Sequence, residues 1–184
     1  HTLSLHDAFP IYDEVLQTVT HTTIEGVSVT IFGAQRLNGK GTGGDHVIGM
    51  SAFRDEAAVL TQQIGTPRLA VVLTCCGGGT SGASESLLRI LNERGIANIV
   101  FATEPLPFEG DDRKRCASVI IPTIMSCANA ATVVPLATLL AGAPDTLTAA
   151  ESFDYAADRL AAGISLLWTL LVHPGYLQFD AEHL

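Results

Sequence analysis

Two glycine clusters carry the first chemical signal in this sequence: Gly39 to Gly44, reading GKGTGG, and Gly77 to Gly82, reading GGGTSG. Glycine lets backbone amides approach an anion closely, and a helix starting just beyond adds the positive end of its dipole. A strand, a glycine loop and a helix in that order therefore form a phosphate cradle. One such cluster also serves as a plain tight turn, but two, each between a strand pattern and a helix pattern, point to a polyphosphate. Neither is a P-loop, because no Lys-Ser or Lys-Thr pair follows the glycines, and neither is G-x-G-x-x-G leading to an acidic strand end. A third segment, Glu104 to Arg113 (EPLPFEGDDR), follows a strand pattern and so falls at the carboxyl edge where open α/β sheets bind ligands. There Glu109 can accept hydrogen bonds from ribose hydroxyls and Arg113 can meet a phosphate or order the loop. A solvated charged turn is the alternative for that segment.

These groups need a framework, and β-rich runs alternating with helical runs from Gly26 onward supply one. Val27 to Phe32, Leu69 to Thr74, Ile99 to Thr103 and Thr132 to Val134 are short, β-branched and apolar, as buried central strands are. Ala52 to Ile64 and Ser84 to Glu93 show helical spacing with Gly65 and Gly95 at the stops. Arg113 to Asn129 reads as a helix bent at Pro122, which removes a backbone donor. Ala149 to Val172 is the longest helical pattern, almost wholly apolar after Leu160, and is expected to be buried on nearly all sides before His173-Pro174-Gly175 stops it. Strands separated by helices imply parallel pairing through right-handed crossovers, hence a three-layer α/β fold with a Rossmann-like parallel sheet.

Bulk properties narrow the function. At 184 residues the chain suits one domain, and its 47% hydrophobic content fits a packed core. A formal charge of −9 argues against a nucleic-acid binder, whose affinity comes from Lys and Arg on phosphates. Cys75, Cys76, Cys116 and Cys127 lack paired C-x-x-C spacing, so no metal site is expected and a reduced, buried role is favoured, which suits the cytoplasm. No run is long enough to insert in a membrane. The opening HTLSLHDAFPI resembles translated sequencing-adapter sequence, so residues 1–12 are set aside as a non-native or disordered leader.

Taken together the motifs resemble one family. GGGTSGA resembles the GGGTG(S/T)G signature of the FtsZ/tubulin family, PLPFEGDDR resembles its PFxFEGxxR loop, and GKGTGGD resembles its upstream GxGxGxN loop. The long helix after Phe153, ending in His-Pro-Gly, is similar to the family's core helix, and the resemblance covers roughly Val27 to Leu184. It implies a partial GTPase domain over residues 13–184, incomplete at both ends, lacking the family's first glycine loop and second domain. It also implies GTP or GDP as ligand, Mg²⁺ accompanying the nucleotide, and head-to-tail filaments, with cell division as the process and division-machinery proteins as possible partners. Carried over residue by residue, Gly77, Gly78, Gly79, Thr80, Ser81 and Gly82 fall in the phosphate signature and Gly41, Gly43 and Gly44 in the other phosphate loop. Glu109 and Arg113 match the ribose-facing loop, and Phe153 the aromatic packed against the base, with a core Phe as the alternative. Tyr176 to His183 resembles the synergy loop, whose acidic residues orient water against GTP of the next subunit; Asp180 matches the first acidic position and His183 stands at the second. In that mechanism the glycine-loop amides and Mg²⁺ stabilise charge on the γ-phosphate while an apposed subunit positions water. The 184 residues by themselves are then expected to be inactive.

The sequence also departs from the pattern. GGGTSGA lacks one residue between Thr80 and Ser81, Leu136 stands where the family usually has Asn, and Ala157 stands at the core-helix Asp that recognises guanine. With His183 at the second acidic position, these changes support an alternative: a nonhydrolysing filament or regulatory relative. A serine hydrolase is the rival from another class, since Thr-Ser81-Gly-Ala-Ser resembles a subtilase-like GTSxA context with His173 or His183 as base. That reading leaves the FEGDDR loop and the first glycine cluster unexplained.

Overall fold

The computed structural model describes residues 11–13, 30–37 and 41–172. In chain order the elements are β1 (Ile11–Asp13), β2 (Thr30–Phe32), α1 (Ala34–Leu37), α2 (His46–Ile64), β3 (Leu69–Cys75), α3 (Ala83–Glu93), β4 (Ala97–Glu104), α4 (Asp111–Cys127), β5 (Ala130–Pro135), α5 (Leu136–Leu139) and α6 (Ala149–Val172). β3, β4 and β5 form a parallel sheet in that order, with Cys75 opposite Thr103 and Thr103 opposite Val134. The expected α/β architecture with a parallel sheet is therefore present. β2 does not join this sheet; it pairs with β1, so the four expected strands are divided between two sheets. β1 overlaps the end of the segment set aside as a leader.

Helices start earlier than hydrophobic spacing alone indicates, for reasons of capping. Asp45 accepts hydrogen bonds from the Val47 and Ile48 amides at 2.8 and 3.2 Å, so α2 begins at His46 rather than Ala52. α6 begins as predicted because Thr148-Ala-Ala-Glu151 is a capping box: Glu151 accepts from the Thr148 amide at 2.7 Å and Thr148 accepts from the Glu151 amide at 3.3 Å. The Thr148 hydroxyl, which donates to the same carboxylate at 2.7 Å, and then the Thr148 amide hold the Glu151 carboxyl below its usual range. α4 runs through Pro122, which lies on the exposed side, where water can serve the carbonyl that proline leaves unpaired.

One core lies between the sheet and α3 and α4: Val100 and Ala102 of β4 meet Leu88, Leu91, Ile120 and Ile124. A second packs α2 on the first strand pair, with Phe32 and Phe53 edge-to-face at 5.5 Å between ring centres. A third sits at the carboxyl ends of the strands, where Leu106, Leu136 and Ala156 tie β4, β5 and α6 together. Past that contact α6 departs from expectation. Leu166 is 65% and Leu170 55% exposed, because among the described residues only the first turns of α6 find apolar neighbours.

A buried amide network, which no periodicity signals, locks the opposite end of the sheet. Asn98 is fully buried. Its backbone amide donates to Asn129 Oδ1 at 2.9 Å, the Asn129 amide donates to Asn98 Oδ1 at 3.0 Å, and Asn98 Nδ2 donates to Asn92 Oδ1 at 2.8 Å. Asn92 in turn donates to the Cys127 carbonyl at 2.8 Å, so the ends of α3 and α4 are fastened to the starts of β4 and β5. Asn98→Ala strands the Asn129 amide and is expected to cost about 1–3 kcal/mol of unfolding free energy, read from the urea midpoint.

The cysteines divide by burial, against the expectation that all four are buried: Cys76 and Cys116 are, and Cys127 is partly so. Cys75 is exposed, while Cys76 is buried and its thiol is pushed up to about 12, first by burial and then by the neighbouring Cys75. Alkylation of the native chain is expected at Cys75, with Cys76 modified only after denaturation. Because the fold holds Cys76 protonated, its contribution to stability is intact below pH 9 and declines as pH rises from 9 toward about 12. Cys76→Ala is expected to flatten that part of the stability profile.

Candidate functional site

The sequence-predicted groups converge at the carboxyl ends of β3 and β4. Gly77 to Gly82 leaves β3 through a turn, tightens into a 3-10 turn over Thr80–Gly82 and opens α3. Each neighbour presses against it closely enough to require glycine. A Cβ on Gly49 of α2 would fall on the Gly79 carbonyl oxygen, one on Gly79 would fall on the Thr42 side chain, and one on Gly82 would fall on the His46 carbonyl. Gly77, at φ 123°, would place a Cβ 3.0 Å from the Arg113 carbonyl oxygen. The second glycine loop thereby touches both the first glycine loop, at Thr42, and the end of the acidic-basic segment, at Arg113.

Open space lies on the other side of this loop. A Cβ on Gly78 would meet nothing within 4 Å, and the Gly78 and Gly79 amides have no hydrogen-bond partner among the described residues. Those are the features a phosphate cradle needs: donors without acceptors and room for the oxygens. Ser81 is buried and donates to the Gly78 carbonyl at 2.6 Å, which fixes the turn. That bond also commits the hydroxyl proton to the backbone, against a nucleophilic role; His173 and His183, the bases that role would need, lie outside the described residues.

In the first loop Gly41, Gly43 and Gly44 all have positive φ, at 66°, 61° and 87°. Thr42 between them is buried against Gly79 and accepts from the Gly44 amide at 3.3 Å. The simple picture of a helix dipole aimed at a phosphate needs correcting here. Asp45 already occupies the first amides of α2 with its own carboxylate, so this loop can offer an anion its glycine amides but not those of Val47 and Ile48.

Glu109 and Arg113 are brought together. The Glu109 side chain, only 12% exposed, accepts from the Leu106 amide at 2.6 Å and pairs with Arg113 at 3.4 Å, so it orders the loop while keeping lone pairs available. Phe153 stands beside this loop, packed edge-to-face on Phe108 with ring centres 5.9 Å apart. Phe108 was not singled out by sequence reasoning, although it lies inside the PLPFEGDDR motif. Cys116 was missed as well; it sits in the core beneath Gly78, its sulfur 4.0 Å from that carbonyl, and burial pushes its thiol up. Leu136 packs in the cluster with Leu106 and Ala156, and Ala157 is exposed. Asp180 and His183 lie outside the described residues.

Among the described residues no group of three or more His, Cys, Asp or Glu side chains could hold a metal ion, and no helix is long and apolar enough to cross a membrane. A cleft of about 150 Å³ between α2, α3 and α4 is lined largely by apolar side chains such as Val47 and Ile120, and none of Phe108, Glu109, Arg113 or Phe153 borders it. Ser81 and Gly82 of the second glycine loop line the same cleft.

Comparison with known proteins gives the same assignment. No protein-family model matches the chain. The cell division protein FtsZ of Caulobacter vibrioides is 30% identical over 149 residues, covering 80% of this chain and 29% of that protein. FtsZ of Helicobacter pylori J99 is 26% identical over 151 residues, covering 82% of this chain and 39% of that protein. The chain thus spans well under half the length of these relatives. Among solved structures, an empty FtsZ dimer from M. jannaschii superposes with a TM-score of 0.74 at 18% identity, over 95% of this chain and 58% of that one. CetZ2 from Haloferax volcanii, a GTPγS-bound protofilament, superposes with a TM-score of 0.77 at 20% identity, over 88% of this chain and 48% of that one. Sequence kinship to FtsZ across four-fifths of its length, with the same tubulin-like fold, makes the chain a divergent member of the FtsZ/tubulin family.

Proposed function

We propose that this chain is the nucleotide-binding part of an FtsZ-like protein that binds GTP and GDP, assembles head to tail into cytoskeletal filaments and hydrolyses GTP where subunits meet, in cell division. The observation that carries the reading is the convergence of three loops on Gly77 to Gly82, with Thr42 against Gly79 and Arg113 against Gly77, and with unpartnered amides facing open space. Gly78 and Gly79, with Gly41, Gly43 and Gly44, would hold the phosphates, and Glu109 and Arg113 would border the ribose. Mg²⁺ bound with the nucleotide supplies neutralising charge on the phosphates; with no acidic cluster among the described residues, it would be held mainly by phosphate oxygens and water. Asp180 of one subunit would position water against the nucleotide of the next, with His183 beside it. A heterologous contact that repeats without closing yields an open filament, which joins assembly to turnover. The relatives' own names support the family-level part: one is a protofilament with GTPγS bound. Cytoplasmic placement and division-machinery partners belong to the same reading, and no direct membrane insertion or nucleic-acid partner does.

A nonhydrolysing relative is the second reading. It is favoured by one structural fact: Leu136, at a position where the family usually carries Asn, is 9% exposed and committed to an apolar cluster.

The test is phosphate release from GTP by the intact protein carrying this sequence, across a concentration series. Turnover per subunit is expected to rise steeply above a threshold concentration and to fall by about 10²-fold or more in Asp180→Ala, as for loss of a water-positioning group. Binding without release at any concentration would establish the nonhydrolysing reading instead. Gly79→Ala, which drives a methyl into Thr42, is expected to weaken GTP binding by about tenfold or more as the two loops are forced apart, measured by titration with a fluorescent GTP analogue.

A further inference from the structure

One peptide of the second glycine loop can face either way on backbone grounds alone. A flip of the Gly78–Gly79 peptide rotates ψ of Gly78 and φ of Gly79, and would carry the latter from −60° into the positive range that glycine accepts without strain. Neither residue has a side chain to oppose the rotation, and the space around Gly78 is open. The direction matters because a trans peptide points its carbonyl and its amide opposite ways. With the Gly78 carbonyl turned into the protein, the Gly79 amide faces outward as a donor. Flipped, the same peptide would present a carbonyl oxygen, which repels a phosphate.

Two buried side chains hold the carbonyl inward. Ser81 donates its hydroxyl proton to the Gly78 oxygen at 2.6 Å, and the Cys116 sulfur lies 4.0 Å from the same oxygen. Ser81 is 2% and Cys116 8% exposed, so water does not compete for that carbonyl. Both side chains are themselves fixed in place. Ser81 stands in the 3-10 turn that the Gly82 amide closes by donating to the Gly79 carbonyl at 3.0 Å. Cys116 belongs to α4, and one turn earlier the same helix lays the Arg113 carbonyl against Gly77, so the loop rests on α4 at both Gly77 and Gly78. A serine hydroxyl has one proton to give, and here the main chain takes it. Ser81 therefore acts on an anion through the peptide it holds.

We propose that Ser81, backed by Cys116, is a positioning residue that latches the Gly78–Gly79 peptide with its amide outward, and so sets the affinity of the site for phosphate from beneath the loop. The proposal rests on the nucleotide reading given above and names the side chains that regulate its phosphate end.

The experiment is competition of inorganic tripolyphosphate and of GTP against a fluorescent GTP analogue on the intact protein, with Ser81→Ala, Ser81→Thr and Cys116→Ala alongside. Urea midpoints establish that each variant is folded under the assay conditions. Ser81→Ala is expected to weaken tripolyphosphate and GTP by the same factor, about tenfold or more, as loss of one hydrogen bond to a charged group does. Cys116→Ala, which removes the weaker contact, is expected to weaken both by about twofold to threefold. Ser81→Thr keeps the hydroxyl and is expected to stay within about threefold of the unmodified protein. A purely structural role for Ser81 would lower the urea midpoint of Ser81→Ala and leave the affinities of the folded protein unchanged, and that result would overturn the proposal. Nitrogen-15 spectra of the unmodified protein give a readout independent of any variant. Tripolyphosphate is expected to move the Gly79 amide proton downfield while the Gly82 amide stays in place. No movement at Gly79 with the anion bound would overturn the latch and leave the nucleotide site standing. Failure of the unmodified protein to bind the analogue would overturn the nucleotide reading, and the latch with it.

Discussion

Close backbone approach at Gly49, Gly79 and Gly82 is the contact on which the site depends. α2 crosses the loop leaving β3 at a distance that excludes a methyl group at Gly49 and at Gly82, and the Thr42 side chain excludes one at Gly79. That approach brings the first glycine loop, which runs straight into α2 through the Asp45 cap, alongside Gly77 to Gly82. It also keeps bulky side chains off the loop, where the amides of Gly78 and Gly79 have no partner among the described residues. Glycine in a loop costs conformational entropy on folding, and here that cost yields the short spacing between the two glycine loops. The sheet and its amide network serve this contact: Asn98 fixes one end of β4, and the strands carry that register to the carboxyl edge where the loops emerge.

Much of this arrangement was legible in the residues. The four helix-sized periodic runs and three central strands overlap the observed α2, α3, α4, α6 and β3 to β5, and for β3 to β5, α3 and α4 the reason is burial against one sheet. The order of strand, glycine loop and helix places Gly77 to Gly82 at the carboxyl end of β3, where the structure has it. Composition could not show the partition into two sheets, since β2 carries the same apolar pattern as the central strands and only tertiary pairing distinguishes it. Nor could it show that α6 leaves Leu166 and Leu170 exposed, because an apolar helix reads alike whether or not its neighbours are at hand. Within the site, Thr42 and Cys116 were illegible for the opposite reason: a small side chain and a thiol carry no pattern, and their importance arises only from what lies across the gap.

The two parts of the region differ in what shapes them. In the glycine loops Gly41, Gly43, Gly44 and Gly77 take positive φ, a backbone geometry that glycine permits. Near the start of α6 side-chain packing decides the shape instead, with Leu136 in the cluster of Leu106 and Ala156. Main-chain shape survives side-chain change more readily than packing does, and a relative 30% identical over four-fifths of this chain can share the fold while its side chains differ.

The central claim is that the two glycine loops form one phosphate-binding surface, and amide hydrogen exchange of the protein with and without GTP addresses it most directly. The account predicts that GTP slows exchange in residues 41–45 and in residues 77–82 together, leaving the α4 wall of the cleft, at Val119, Ile120 and Ile124, unchanged. Slowing at that wall alone, or in neither loop at saturating GTP, would contradict it.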